Sequence, residues 1–278
     1  MGIYHAGEIA VQEHAGVRDM SVRVVNGIRN FVVPAAADFL QTQPFVVASI
    51  MDNAGNVWAV PVRGPLDTVD ERTVRVPQNL TGAVGLVIMD FATRRRMRVN
   101  GVAKDGFLAV AECYANCPKY LQKRDGNGDA DGIFALAPQP ASQSTVLTAS
   151  QTARIRAADT FFIATRNGDT SADASHRGGN PGFVRVRDER TLAWHDYSGN
   201  AMFNTLGNLE TDPRAALFFP DFATGNALLL SGAATVIWDS PAERRVVFTV
   251  GCVAEIAAAF APLNKIPVEY SPFNPPEP

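Results

Sequence analysis

The sequence predicts a mainly β protein with flanking helices (α+β), built as two tandem antiparallel halves that close into a barrel or sandwich. Three observations predict it. Short β-branched and apolar runs alternate with turn residues along most of the chain. Helical stretches are missing between most of these runs, which a parallel α/β sheet would require. Several short motifs occur twice in the same order, the signature of two copies of one structural unit.

The elements follow in order. "PAAADFLQTQ" from Pro34 reads as a helix leading into the strand "FVVASIMD" from Phe45. "TVRV" and "VGLVIMDF" read as further strands, with "NAGN" as a turn. The second copy begins with the helical stretch "ASQTARIRAAD" from Ala149, followed by the strand "FFIATRN" and its "RNGD" turn. The strands "ALFFPDF", "ALLLSG", "ATVIW" and "RRVVFTV" complete it. "DERT" stands at 70–73 and 188–191, and "DFAT" at 90–93 and 221–224. After each "DFAT" the copies stay in register: "RMRVNGVA" aligns with "ALLLSGAA", so that Gly101 falls on Gly232.

The copies differ at one place. From "DERT" to "DFAT" is 20 residues in the first and 33 in the second, so the second carries 13 extra. There Met202, Phe203, Leu206 and Leu209 recur at helical spacing, predicting an added helix that begins near Asn200. Asn200, Asn204 and Asn208 then share one face. Asparagine is a poor interior helix former. The stripe is therefore either solvent-facing polar residues behind an N-cap or a set of amides that bond a ligand.

The expected organisation is a first half at 1–122 with an N-terminal helical segment, a Gly/Asp/Pro linker at 123–148, a second half at 149–262 and an extended, poorly ordered tail at 263–278. Within the linker, Asp125, Asn127 and Asp129 imitate the start of a calcium loop. Ala130 and Leu136 stand where glycine and a bidentate glutamate are required, so a solvated turn is the expectation. Net charge is −3, which argues against nucleic acid and anionic membranes as partners. No run reaches the roughly 18 apolar residues of a membrane span. The first residues lack an apolar secretory core, and a cytoplasmic location is the default expectation. Three cysteines form no disulfide framework, and Cys113 and Cys117 lack partners for a zinc site, so no metal is expected. Cys117 reads as a small buried apolar residue rather than a nucleophile. "RRR" at 94–96 reads as an exposed hairpin, with an interface or phosphate role as the alternative. His5 and His14 either cap helices or line a cleft.

"DASHRGGNPGFVRV" from Asp173 carries the sharpest chemical signal. A serine hydroxyl, an arginine fork and glycine-exposed backbone N–H groups suit a phosphate or ring carbonyls. A decorated surface hairpin is the other reading. From here to "LLLSGAATVIW" the chain resembles the pyridoxamine 5'-phosphate oxidase-like FMN-binding split barrels, in particular a duplicated branch with "HAGE" at 5–8 and "NCPKY" at 116–120. The resemblance implies split-barrel halves, each a six-stranded antiparallel barrel with flanking helices. It also implies a homodimer with FMN in the cleft between subunits, and flavin-dependent oxidoreductase activity on an unknown small molecule. A non-catalytic flavin carrier or sensor, or a barrel that has changed to deazaflavin or haem, are the alternatives. The implied cofactor-binding residues are Ser175, His176, Arg177, Gly178, Trp194, Asp196, Asn200, Asn204, Asn208, Lys119 and Tyr120; Trp194 has a core role as its plainer reading. No catalytic acid–base pair stands out. Ala201 occupies the place where many members of the family have an arginine for the phosphate, so one charge-assisted contact is missing.

Overall fold

The computed structural model describes residues 3–124, 144–263 and 267–276. Asp125, Asn127 and Asp129, with most of the expected linker, lie outside these residues. Helices α1 (Ala6–His14) and α2 (Arg18–Val24) come first, then α3 (Pro34–Thr42). The first half continues as β1 (Phe45–Met51), β2 (Val57–Arg63), β3 (Thr68–Asp70), β4 (Thr73–Arg75), β5 (Gly82–Asp90), β6 (Arg95–Lys104) and β7 (Phe107–Ala115). The second half is α4 (Ala149–Ala157), β8 (Thr160–Asn167), β9 (Ser171–Gly178), β10 (Arg185–Val186), β11 (Thr191–His195), α5 (Asn204–Thr211), β12 (Arg214–Pro220), β13 (Ala227–Trp238) and β14 (Arg244–Ile256).

The two halves share one strand order. The first sheet runs β2-β1-β5-β6-β7-β4-β3, and the second, taken from its β9 edge, runs β9-β8-β12-β13-β14-β11-β10. Every pairing is antiparallel. The repeated motifs make the same local structures. Asp90 accepts from the N–H groups of Ala92 and Thr93 and from the Thr93 hydroxyl; Asp221 does the same with Ala223 and Thr224. Both turns then need one left-handed residue, supplied by Arg94 (φ 55°) and Gly225 (φ 75°). Gly101 and Gly232 each mark a register shift in a strand pair, where a Cβ would lie 2.0 Å from a facing carbonyl oxygen. Asp90→Ala and Asp221→Ala are each expected to cost about 1 kcal/mol, measured by urea unfolding. A large cost at one aspartate and none at the other would contradict the equivalence of the two turns.

The halves pack face to face with an approximate twofold relation. β5 meets β9 as β12 meets β2, β6 meets β9 as β13 meets β2, and β1 meets β8 across the centre. This is the self-complementary pattern of a symmetric dimer, achieved within one chain. It gives β8 and β12 two buried faces, hence the apolar runs Phe161–Ala164 and Ala215–Phe219 within them. Phe161, Leu217 and Phe219 fill the interior of the second half with Trp194 and Phe248. The alternating Phe162, Ala164, Ala216 and Phe218 join the core of the first half.

Two expectations are corrected. The added helix begins at Asn204, because Ala201 (φ 62°) and Phe203 (φ 60°) adopt left-handed backbone that a helix cannot include. Asn200 therefore lies in the preceding loop. The described tail residues are tied down: Ser271 is buried and donates its N–H to Gln122, and Glu269 pairs with Arg94. No helix among the described residues is long and apolar enough to cross a membrane.

Candidate functional site

The contact between halves opens a cleft where β6 and the 116–120 segment of the first half face β9, α5 and the residues around Asp196 of the second. Its cavity volume is about 100 Å³, the size of a small anion with a few waters. The floor is cationic. Arg96, Arg98, Lys119, Arg177 and Arg244 line it, against Asp196 and, behind Arg98, Asp173. Arg98 donates to Asp173 at 2.9 Å and to Ser175, Tyr114 and Asn204. Arg177 and Arg244 share Asp196, at 3.3 and 3.0 Å.

Arg96 has no carboxylate partner among the described residues. Its Nε donates to the Cys117 carbonyl at 2.8 Å and its Nη1 to His176 Nδ1 at 2.9 Å. Burial, with Arg98 and Arg177 beside it, pushes the Arg96 guanidinium downward from its ordinary pKa. Burial and the neighbouring arginines hold His176 well below the usual imidazole range, so at neutral pH it is an acceptor for Arg96 and not a cation. The cleft also receives the start of α5: Phe203, Asn204, Thr205 and Leu206 line it, and no side chain among the described residues caps the helix. Uncapped N–H groups and the helix dipole favour negative charge there.

Residues 147–262 match the profile of the family described as pyridoxamine 5'-phosphate oxidase. Over these residues the second half of the chain is similar to that family. Similar solved structures include a pyridoxamine 5'-phosphate oxidase-like protein of Lactobacillus delbrueckii (16% identity, TM-score 0.33, covering 42% of this chain and 98% of that one). A protein of Clostridium acetobutylicum related to general stress protein 26, of the pyridoxinephosphate oxidase family, aligns at 12% identity (TM-score 0.31, 38% and 85%). The FAD binding protein of Mycobacterium smegmatis aligns at 12% identity (TM-score 0.30, 42% and 100%). A search of curated proteins gives no match.

Of the residues singled out in the sequence, His176, Arg177, Gly178, Asp196, Asn200, Asn204, Lys119 and Tyr120 line the cleft. Three others do not. Ser175 is fully buried; its hydroxyl bonds Asp173, Thr205 and Arg98. Trp194 packs edge-on against Phe161 in the second core. Asn208 bonds Thr165 and His5 beneath α1. The reason is strand alternation: Ser175 shares its face with Asp173, beneath α5, and not with His176. "HAGE" is a cap, not a cleft wall. His5 caps α1, Glu8 completes a capping box, and Gly7 crosses α5 at Gly207, where any Cβ would meet the opposing backbone.

Arg98, Arg244, Tyr197 and Phe203 are among the cleft residues that the sequence reading does not place there; Arg96 belongs to the run that it reads as an exposed hairpin, with an interface or phosphate role as the alternative. One signal for Arg96 and Arg98 was present. Arg96 and Arg98 are two apart on a strand whose copy carries Ala227 and Leu229 at the matching positions. Two arginines on one face of an otherwise apolar strand imply a polar environment on that face.

The approximate twofold relation implies a second, equivalent position, and it is filled. The strand pairing sets Phe45 opposite Arg63 as Phe161 is opposite Arg177, so Val62 takes the place of His176. Val62, Ala227 and Leu229 are buried there in the shared core.

Proposed function

We propose that the cleft binds the phosphate of a flavin mononucleotide and that the chain is a flavin-dependent oxidoreductase acting on a small molecule. The observation that carries this reading is the surplus of half-buried positive charge at an uncapped helix start, centred on Arg96. Burying such charge without a counter-ion is costly, and a phosphate dianion relieves the cost. Arg96, Lys119 and the first N–H groups of α5 would hold the phosphate, with Arg177 and Arg244 kept in place by Asp196. In this reading Arg96 supplies the charge lost where Ala201 replaces the family arginine. Tyr120, Tyr197 and Phe203 offer apolar surface beside the cleft for the ribityl chain and ring, which exceed its volume. When bound, the flavin ring supplies hydride chemistry, while the protein binds, orients and excludes water.

Because the second position is filled by Val62, Ala227 and Leu229, one FMN per chain is the expected stoichiometry. The reason for expecting a homodimer was a cleft built from two subunits. That pairing exists here between the two halves, so we propose a single chain as the functional unit. Sedimentation with FMN is expected to show a flavin-loaded species near 29.9 kDa, the mass of one chain. A flavin-loaded dimer whose apoprotein is monomeric would contradict it.

A further inference from the structure

A second cavity adjoins the cleft, and the proposed function makes no use of it. It lies in the first half, between α3, the β5–β6 turn and the end of β7, with a volume of about 460 Å³. Arg96 and Asn116 line both spaces. Asn116 Oδ1 is buried with no hydrogen-bond partner among the described residues. The walls are apolar: Val33, Ala36, Phe39, Met97 and Cys113. Burial pushes the Cys113 thiol up to about 11, so the sulfur is a wall atom and not a nucleophile at neutral pH.

Among the described residues the charged groups that line this cavity are all arginines, with no aspartate or glutamate. Arg94 is engaged by Glu269 and the Leu121 carbonyl, and Arg96 by His176 and Cys117. Arg29 and Arg95 remain. Each lies over a phenyl ring, Phe31 at 5.5 Å and Phe39 at 4.8 Å, and neither forms an ion pair among the described residues. Stacked guanidinium groups keep their outer N–H donors available. An apolar chamber with cations at its mouth and, among the described residues, no carboxylates selects a ligand that has a flat apolar body and one negative charge.

We propose that this cavity is a binding site for an aromatic carboxylate or sulfonate, its ring against Phe39 and Met97 and its anion held by Arg29 and Arg95. Its adjacency through Arg96 and Asn116 makes the occupant the organic substrate of the cleft; that assignment of role rests on the flavin reading, whereas the binding itself does not.

The test uses two fluorescent probes of similar shape and different charge, 1-anilinonaphthalene-8-sulfonate and the neutral N-phenyl-1-naphthylamine. Each is titrated into folded wild type, the double variant Arg29→Glu with Arg95→Glu, and Ala36→Trp, with near-ultraviolet circular dichroism as the folding control. The sulfonate is expected to saturate at one site. The double charge reversal should weaken it by about tenfold or more while the neutral probe changes by less than about twofold. Ala36→Trp should remove both by filling the chamber. The double variant changes only side chains at the cavity mouth, so the proposal stays testable if Ala36→Trp does not fold. Equal weakening of both probes by the charge reversal, or sulfonate binding unaffected by a folded Ala36→Trp, would overturn the proposal. FMN titration of the same variants separates the two readings. Unchanged FMN affinity beside lost sulfonate binding supports a separate cavity. If wild type refuses FMN while the sulfonate pattern holds, the flavin reading fails and the anion site stands.

Discussion

Arg96→Ala is expected to weaken FMN binding by about tenfold to hundredfold, the range of one lost charge-assisted hydrogen bond of about 1.5–3 kcal/mol. Arg96 is the guanidinium of the cleft held by neutral acceptors alone, the Cys117 carbonyl and His176 Nδ1. A phosphate would therefore be its first counter-ion. Arg177→Ala is expected to cost less, because Asp196 already compensates Arg177. Arg63→Ala, at the matching position of the first half, should change affinity by less than about twofold. Fluorescence quenching on FMN titration measures all three. Stability supplies the control. Arg96→Ala relieves the desolvation of an unpaired charge but leaves the Cys117 carbonyl and the buried His176 Nδ1 without their donor, so it should unfold near the urea concentration of wild type. An Arg63→Ala loss equal to that of Arg96→Ala would refute the site.

The stability of the protein is expected to fall by about 2–3 kcal/mol between about pH 6 and pH 9, and Glu8 is the main reason. Its carboxyl is buried under α5, accepting from Asn204 at 2.6 Å and from the His5 N–H. Burial pushes its pKa from 4.5 to about 8, with Glu112 and Asp173 adding repulsion and the two hydrogen bonds opposing. A pKa raised in the folded chain means that the neutral form is the one folding favours. The stabilisation is complete below the unfolded value of 4.5 and is lost as pH rises through about 8. Glu8→Gln cannot ionise. Its amide meets the His5 N–H as a second donor, so the variant should be about 1 kcal/mol less stable than wild type near pH 6. Its stability should then decline less with pH, and the two urea-midpoint curves should cross. Glu112, also raised by burial, keeps a slope of the same sign in both proteins. A variant that declines as steeply as wild type would show that Glu8 is not the titrating group.

What was legible in the sequence depends on short-range chemistry. An aspartate that accepts from the N–H groups two and three residues on makes the same turn wherever "DFAT" occurs, and a glycine facing a carbonyl marks the same bulge at Gly101 and Gly232. The helices at Pro34 and Ala149 follow from local periodicity and, for α4, a Thr148–Gln151 capping box. These features survive comparison between halves because each is settled within a few residues. The second half's share of the cleft was legible for the same reason, since His176, Arg177 and Asp196 lie on strand ends that such motifs delimit.

By itself, then, the sequence determined two β halves of equal order and the second half's share of the cleft. Only the tertiary structure decided which side chains enter the cleft. Ser175 and His176 are neighbours in the chain, but strand alternation sends one beneath α5 and the other to Arg96. Arg96 and His176 are 80 positions apart and meet only because the halves pack face to face. A run of arginines in a hairpin reads as solvated, since charge is rarely buried unpaired. Whether a second half covers that hairpin is not encoded in the residues around it, because burial belongs to the surface that arrives and not to the segment that is covered.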